Sequence, residues 1–176
     1  LEYSRISGEV SIERVDTNEV FREAYKNLQL TIEESDAMVT SDPLPTVVGD
    51  ETLLVQLFQN LIDNAIKHAD EKPQVHVTAE RLEEMVRFTV HDQNQGMTPA
   101  EAEDIFELFS TGHDETGSGI GLATCKKIAE EHGGSIGVES EKGVGSTFHF
   151  TIPKDYPEES EASETTISHL RLSQSN

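Results

Sequence analysis

Three polar residues in the stretch Glu51 to His68 have the types and spacing to hold a polyphosphate and its metal: Asn60, Asn64 and Lys67. At about 100° per residue they fall on one arc of a helix with Gln56 and Asp63, while Leu54, Leu57, Phe58, Leu61, Ile62, Ala65 and Ile66 share the opposite, apolar arc. A plain solvent-facing arc would be filled with Glu and Lys. Two carboxamides one turn apart, with a lysine beyond them, suit Mg²⁺ on phosphate, because a hard cation wants oxygen donors and an Asn carbonyl supplies one without adding negative charge beside the phosphates. Read alone, the arc also fits an ordinary polar helix face in water.

Two further stretches carry chemistry. His91-Asp92-Gln93-Asn94-Gln95-Gly96-Met97 follows an alternating run at Val86, Phe88 and Val90, so Asp92 sits where a strand gives way to a loop, a good place for a ligand-binding carboxylate. Gly117-Ser118-Gly119-Ile120-Gly121 stands immediately before a helical pattern, and free N–H groups at a helix start favour anions. The glycines fit neither a Walker A loop, which needs GxxxxGK[ST], nor a dinucleotide fingerprint, which needs GxGxxG directly after a strand: a polar loop, Thr111 to Thr116, precedes them.

The elements that must position these residues follow from patterning. Leu1 to Ile6 fits the end of a helix, broken at Ser7-Gly8. Val10, Ile12 and Val15 suggest a short strand; Asp16-Thr17-Asn18 offers caps for a helix from Glu19 to Glu33; Ala37 to Thr40 reads as a strand. Leu44 to Gly49 connects to the central helix, with Asp50 as its cap. Val75, Val77 and Ala79 form a hairpin with Val86, Phe88 and Val90. A short helix at Pro99 to Ile105 leads to Phe106-Glu107-Leu108-Phe109, then to a loop rich in Gly, Ser and Thr from Ser110 to Gly119. A helix from Gly119 to His132 stops at Gly133-Gly134, and Ser135 to Ser140 and Gly145 to Ile152 make a last pair of strands. The segment from Lys154 onward lacks apolar periodicity and is expected to be disordered.

With 176 residues there is room for one well-cored domain. A formal charge of −21, most of it before Lys154, argues against nucleic acid and anionic membrane as partners, since both reward Lys and Arg. The single cysteine and seven scattered histidines show no metal-type spacing, and a reducing, cytoplasmic setting is expected. No run approaches the roughly 18 apolar residues of a membrane span, so the domain is not expected to be membrane-embedded.

Taken in order, Gln59 to His68, Asp92 to Gly96, Ile105 to Phe109 with Gly117 to Leu122, and Gly143 to Phe148 resemble the N, G1, F, G2 and G3 boxes of the ATP-binding catalytic domain of sensor histidine kinases, in the superfamily shared with gyrase, a heat-shock chaperone and mismatch-repair ATPases. The resemblance covers about residues 10 to 153. It implies a two-layer α/β sandwich of the Bergerat type, one mixed sheet covered by three helices, preceded by the end of a dimerisation hairpin over 1 to 9 and followed by an acidic tail over 154 to 176. It further implies that Asn64 ligates Mg²⁺ with Asn60 close by, and that Lys67 reaches the phosphates. Asp92 would accept the adenine amino group, His68 would lie near the base, and Thr147 would help close the pocket. The backbone of Ser118, Gly119, Ile120, Gly121 and Leu122 would hold the phosphates, Gly96 would belong to the ATP-binding residues, and the chain from Met97 to Thr116 would form a movable lid anchored by Phe106 and Phe109.

Two departures stand out. Asn94 replaces the first Gly of the DxGxG pattern, and Asn tolerates positive φ better than most residues. The basic residue that many relatives carry after Phe109 is missing; either His113 replaces it when protonated, or the γ-phosphate is held less firmly.

The hydrolytic members of the superfamily place a Glu one turn before the metal ligand to orient water, where this chain has Asn60. The resemblance therefore implies a kinase that keeps ATP for a protein nucleophile. Its acceptor histidine would lie on a dimerisation hairpin outside this chain, for relay to a response regulator, and the isolated domain is expected to be a monomer. The alternatives are a nucleotide-sensing module of the same superfamily without transfer, and a serine kinase of anti-sigma type, which Leu1 to Ile6 disfavours.

Overall fold

The computed structural model describes residues 9–69, 71–93, 96–106 and 118–155. The elements are β1 (Glu13–Asp16), α1 (Thr17–Asn27), α2 (Gln29–Ser35), β2 (Met38–Ser41), β3 (Thr46–Gly49), α3 (Glu51–Lys67), β4 (Gln74–Arg81), β5 (Met85–Asp92), α4 (Pro99–Asp104), α5 (Ser118–Glu131), β6 (Ile136–Glu141) and β7 (Gly145–Pro153). Five strands form one mixed sheet in the order β2-β4-β5-β7-β6, with β2 parallel to β4 and every other pairing antiparallel. This is the mixed α/β sandwich that the sequence implied. A separate antiparallel pair, β1 with β3, joins Glu13 to Gly49 and Asp16 to Thr46.

The central helix forms because its cap and its stripe agree. Asp50 takes extended backbone, and its Oδ1 accepts the N–H of Leu53 at 3.1 Å, satisfying one donor that the helix start leaves open. Leu54, Leu57, Phe58, Leu61 and Ile62 are then fully buried, each contributing about 1.5–3 kcal/mol by leaving water. The Phe58 ring meets Phe88 and Phe150 edge-on at 5.4 and 5.5 Å, and those two stack at 5.1 Å. The contact fixes which sheet face is covered. Val86, Phe88, Val90 and Asp92 on β5, and Ser146, Phe148, Phe150 and Ile152 on β7, point to the helices, while the alternate residues point away.

Two elements differ from the patterning. The helix expected from Glu19 to Glu33 is broken at Leu28, whose φ of −100° and ψ of 8° separate α1 from α2. The break loses little, because the N–H of Leu28 bonds to Ala24 and Tyr25 and its carbonyl accepts from Ile32 at 2.8 Å. Ala24, Leu28 and Ile32 stay buried in phase on both sides of it. The connection before Asp50 contains a strand, β3, whose Val47 and Val48 are both buried, so it shows no alternation. The expected end of a hairpin at Leu1 to Ile6, the tail beyond Asp155, and residues 107–117 lie outside the described residues.

Candidate nucleotide site

The site is built on α3. Asn64 is only 9% exposed, and its Oδ1 is buried with no hydrogen-bond partner among the described residues. A buried carbonyl oxygen left unmatched costs about 1–3 kcal/mol. A hard cation is the kind of group that repays such a cost, so the donor fits Mg²⁺. Asn60, one turn earlier, donates from Nδ2 to the Gly121 carbonyl at 3.3 Å. This bond ties α3 to the first turn of α5, which the backbone of Ser118, Gly119, Ile120 and Gly121 forms. One turn deeper, Cys125 packs its Sγ 3.9 Å from the Leu57 carbonyl; burial pushes its thiol pKa well up, so it is an inert core residue. Leu122 also turns its side chain into the core, which leaves only its backbone for a ligand.

Lys67 and His68 occupy the exposed end of α3. Lys67 Nζ lies 2.9 Å from Asp63 Oδ2, one turn back. His68 caps the helix and bonds its N–H to the Asn64 carbonyl at 3.2 Å.

A second group of polar residues centres on Asp92. It is 1% exposed at the end of β5, and its Oδ1 accepts the N–H of Ser146 at 3.3 Å. Ser146 lies opposite Asp92 across β5 and β7, and opposite Ser140 across β7 and β6. One hydrogen-bonded row therefore runs over three strands on the helix-covered face. The Ser140 and Ser146 hydroxyls are 2.8 Å apart, and Ser140 also bonds to the Gly145 carbonyl at 3.1 Å.

The next chain segment is fastened to this row. Met97 donates its N–H to Ser140 Oγ at 2.6 Å. Gly96 has φ of 76°, and a Cβ there would come within 2.1 Å of the Glu141 carbonyl, so only glycine lets the backbone pass. Thr98 then caps α4 in a reciprocal box with Glu101, whose carboxyl is held below its ordinary range by the Thr98 N–H. Phe106 packs edge-on against Phe148 at 6.0 Å.

The structure separates Thr147 from this group. It lies opposite His91, with Oγ1 2.9 Å from His91 Nδ1, on the sheet face that the helices leave open. The hydroxyl beside Asp92 is that of Ser146, which motif reading passed over. The signal was present: counting back by twos from Ile152, Phe150 and Phe148 reaches Ser146 and not Thr147. Asn94, Phe109 and His113 lie outside the described residues. A cleft of about 540 Å³ lies against the first turns of α3 between Glu9, Glu13, Glu51 and Gln56, and neither Asn60, Asn64 nor Asp92 lines it.

Residues 49–156 match the family described as histidine kinase-, DNA gyrase B-, and HSP90-like ATPase. Cyanobacterial phytochrome A of Nostoc sp. is 46% identical over 158 residues, which is 87% of this chain and 21% of that protein. The adaptive-response sensory kinase SasA of Prochlorococcus marinus is 39% identical over 140 residues, 77% of this chain and 37% of the other. The chain thus spans well under half the length of these relatives. Among solved structures, the catalytic domain of histidine kinase ThkA superposes with a TM-score of 0.73 at 30% identity, covering 82% of this chain and 96% of that one. Full-length ShkA in complex with AMPPNP superposes with a TM-score of 0.73 at 31% identity, over 86% of this chain and 34% of that one. With its mixed sheet, its Asn-bearing central helix and its buried carboxylate at the end of β5, the chain belongs to the histidine kinase-, DNA gyrase B- and HSP90-like ATPase family, as the ATP-binding catalytic domain of a histidine kinase.

Proposed function

We propose that this domain binds Mg-ATP between α3, the first turn of α5 and the Asp92 row, and passes the γ-phosphate to a histidine on a dimerisation hairpin outside this chain. A response regulator would then receive the phosphate; ThkA, a similar protein, has been captured with its response regulator TrrA. The buried, unmatched Oδ1 of Asn64 carries this reading. Asn64 would hold the metal, with Asn60 near it, and a bound Mg²⁺ would supply charge neutralisation at the phosphate oxygens.

The chain's own residues do the rest. The backbone N–H groups at the start of α5 offer an anion site, strengthened by the helix dipole. Lys67 can exchange Asp63 for a phosphate cheaply, since an exposed pair of this kind is worth about 0–1 kcal/mol. Asp92 accepts the adenine amino group, and guanine, with a carbonyl at that place, is rejected. Asn60 cannot take a proton from water, so nothing at that position activates water against the γ-phosphate. Catalysis then rests on positioning and charge, the usual resources of phosphoryl transfer.

No helix among the described residues is long and apolar enough to cross a membrane, and we place the domain in the cytoplasm, where ATP and a response regulator are available. The deciding experiment mixes this chain, radiolabelled Mg-ATP and a separately produced dimerisation hairpin. Acid-labile label should accumulate on the hairpin, slowly, because tethering no longer raises its effective concentration. The chain alone should bind ATP without rapid turnover. Fast hydrolysis by the chain alone, or acid-stable label on a serine, would overturn the assignment.

A further inference from the structure

The geometry points to Ser140 as a positioning residue that couples the base-recognition row to residues 96–106. The inference rests on Asp92 and Ser146 being the purine end of the site. Ser140 lies on β6, two strands from Asp92. Its one hydroxyl nonetheless meets three groups that matter. The oxygen accepts the Met97 N–H at 2.6 Å, lies 2.8 Å from Ser146 Oγ, and bonds to the Gly145 carbonyl at 3.1 Å.

A hydroxyl has one proton, so it cannot donate to both Gly145 and Ser146. When Ser140 gives its proton to Gly145, Ser146 must give its own to Ser140, and Ser146 turns only lone pairs outward. When Ser140 gives its proton to Ser146, the Ser146 proton is released to donate elsewhere. The unprotonated ring nitrogen of adenine beside its amino group is an acceptor that wants such a proton, while Asp92 takes the amino hydrogen. Guanine presents the reverse pattern, a carbonyl and an N–H. Ser140 thus sets the polarity that Ser146 shows to the base.

In both arrangements Ser140 keeps the Met97 N–H, and there it has no ready substitute. Gly96 is pressed against the Glu141 carbonyl at a distance that no side chain permits, so the segment has little room to find another acceptor. Met97 leads through the Thr98 cap into α4, and Phe106 beyond it packs on Phe148, two residues after Ser146 on β7. A base that draws the Ser146 proton outward sharpens the Ser140 interaction with Met97, because hydrogen bonds in a chain polarise one another. The row therefore links occupancy of the base pocket to the order of residues 96–106.

The test compares Ser140→Ala with Ser140→Thr, which keeps the hydroxyl. Loss of the row should weaken ATP and ADP alike in Ser140→Ala, by about three- to tenfold, the equivalent of one hydrogen bond. The two nucleotides move together because the effect is on the base. Hydrogen exchange should show faster Met97 exchange without nucleotide, and loss of the ATP-induced protection over residues 96–106. Ser140→Thr should restore both. Unaltered affinity and protection in Ser140→Ala, with ATP binding intact in the unmutated chain, would overturn the coupling alone. Failure of the unmutated chain to bind adenine nucleotides would overturn the ATP assignment and the coupling together.

Discussion

Asp50 donates its backbone N–H to His132 Nε2 at 3.0 Å, while His132 Nδ1 donates to the Ile128 carbonyl at 2.7 Å. This fixes the neutral tautomer with its proton on Nδ1. It also joins the start of α3 to the end of α5, the two helices that we propose hold the phosphates. Asp50 extends the link through Oδ2, which accepts the Ser11 N–H at 2.8 Å.

Burial holds the His132 pKa below its ordinary 6.5, against a smaller opposing pull from the Ile128 carbonyl and the nearby Asp50 and Glu131 carboxylates. The unfolded chain therefore takes up a proton near 6.5 that the folded chain refuses, so stability is full above that pH and declines as pH falls below it. Thermal melts at pH 7.5 and 5.5 should show the decline. His132→Phe should melt lower at pH 7.5, by about 1–3 kcal/mol for the stranded Asp50 N–H, but with a flatter pH dependence. Equal slopes for the two proteins would remove His132 as the source.

The aromatic cluster gives a stability prediction free of the site. Phe58 is fully buried between Phe88 and Phe150. Phe58→Ala should cost about 3–5 kcal/mol, and Phe58→Leu, which keeps most of the volume, about 1.5 kcal/mol or less. Denaturant unfolding with the slope held constant measures both. A Phe58→Ala loss under about 1 kcal/mol would contradict the packing.

Asn64 should behave in the opposite way. Its Oδ1 makes no bond among the described residues that Asn64→Ala could break, and removing an unmatched buried carbonyl offsets the small cavity left behind. Stability should stay within about 1 kcal/mol of the unmutated chain, while calorimetry shows magnesium-dependent ATP affinity nearly abolished. Full retention of that dependence would dismiss Asn64 as the metal ligand.

Periodicity made much of this legible. The apolar stripe of α3 and the alternation in β4, β5 and β7 each repeat long enough to declare their type, and the box-like stretches singled out Asn64 and Asp92, both of which are buried polar residues. Other features depend on what the chain meets in space. A helical wheel puts Asn64 on a polar arc but does not say that the arc is covered; the first turn of α5, bonded to Asn60, lies against it. Thr46–Gly49 is short and buried on both sides, so it carries no strand pattern. Leu28 breaks a helix whose two halves stay in phase, which hides the break. At Thr147 residue type outweighed strand parity, and parity determines the face.

The proposed reading of the base by Asp92 makes a direct prediction. Asp92→Ala would strip the Ser146 N–H of its acceptor and blur binding with folding. Asp92→Asn keeps the shape and one carbonyl oxygen for Ser146, and replaces the other oxygen with an NH₂ donor. That donor faces the adenine amino group, donor against donor, whereas guanine offers it a carbonyl. ATP affinity should fall by about 1.5–3 kcal/mol, the range for a hydrogen bond to a charged group. GTP should be unaffected or gain, with melting temperature little changed. Competition binding with both nucleotides on both proteins reports the shift directly. Equal ATP and GTP affinity in the unmutated chain, or an ATP preference that survives Asp92→Asn, would show that another group reads the base.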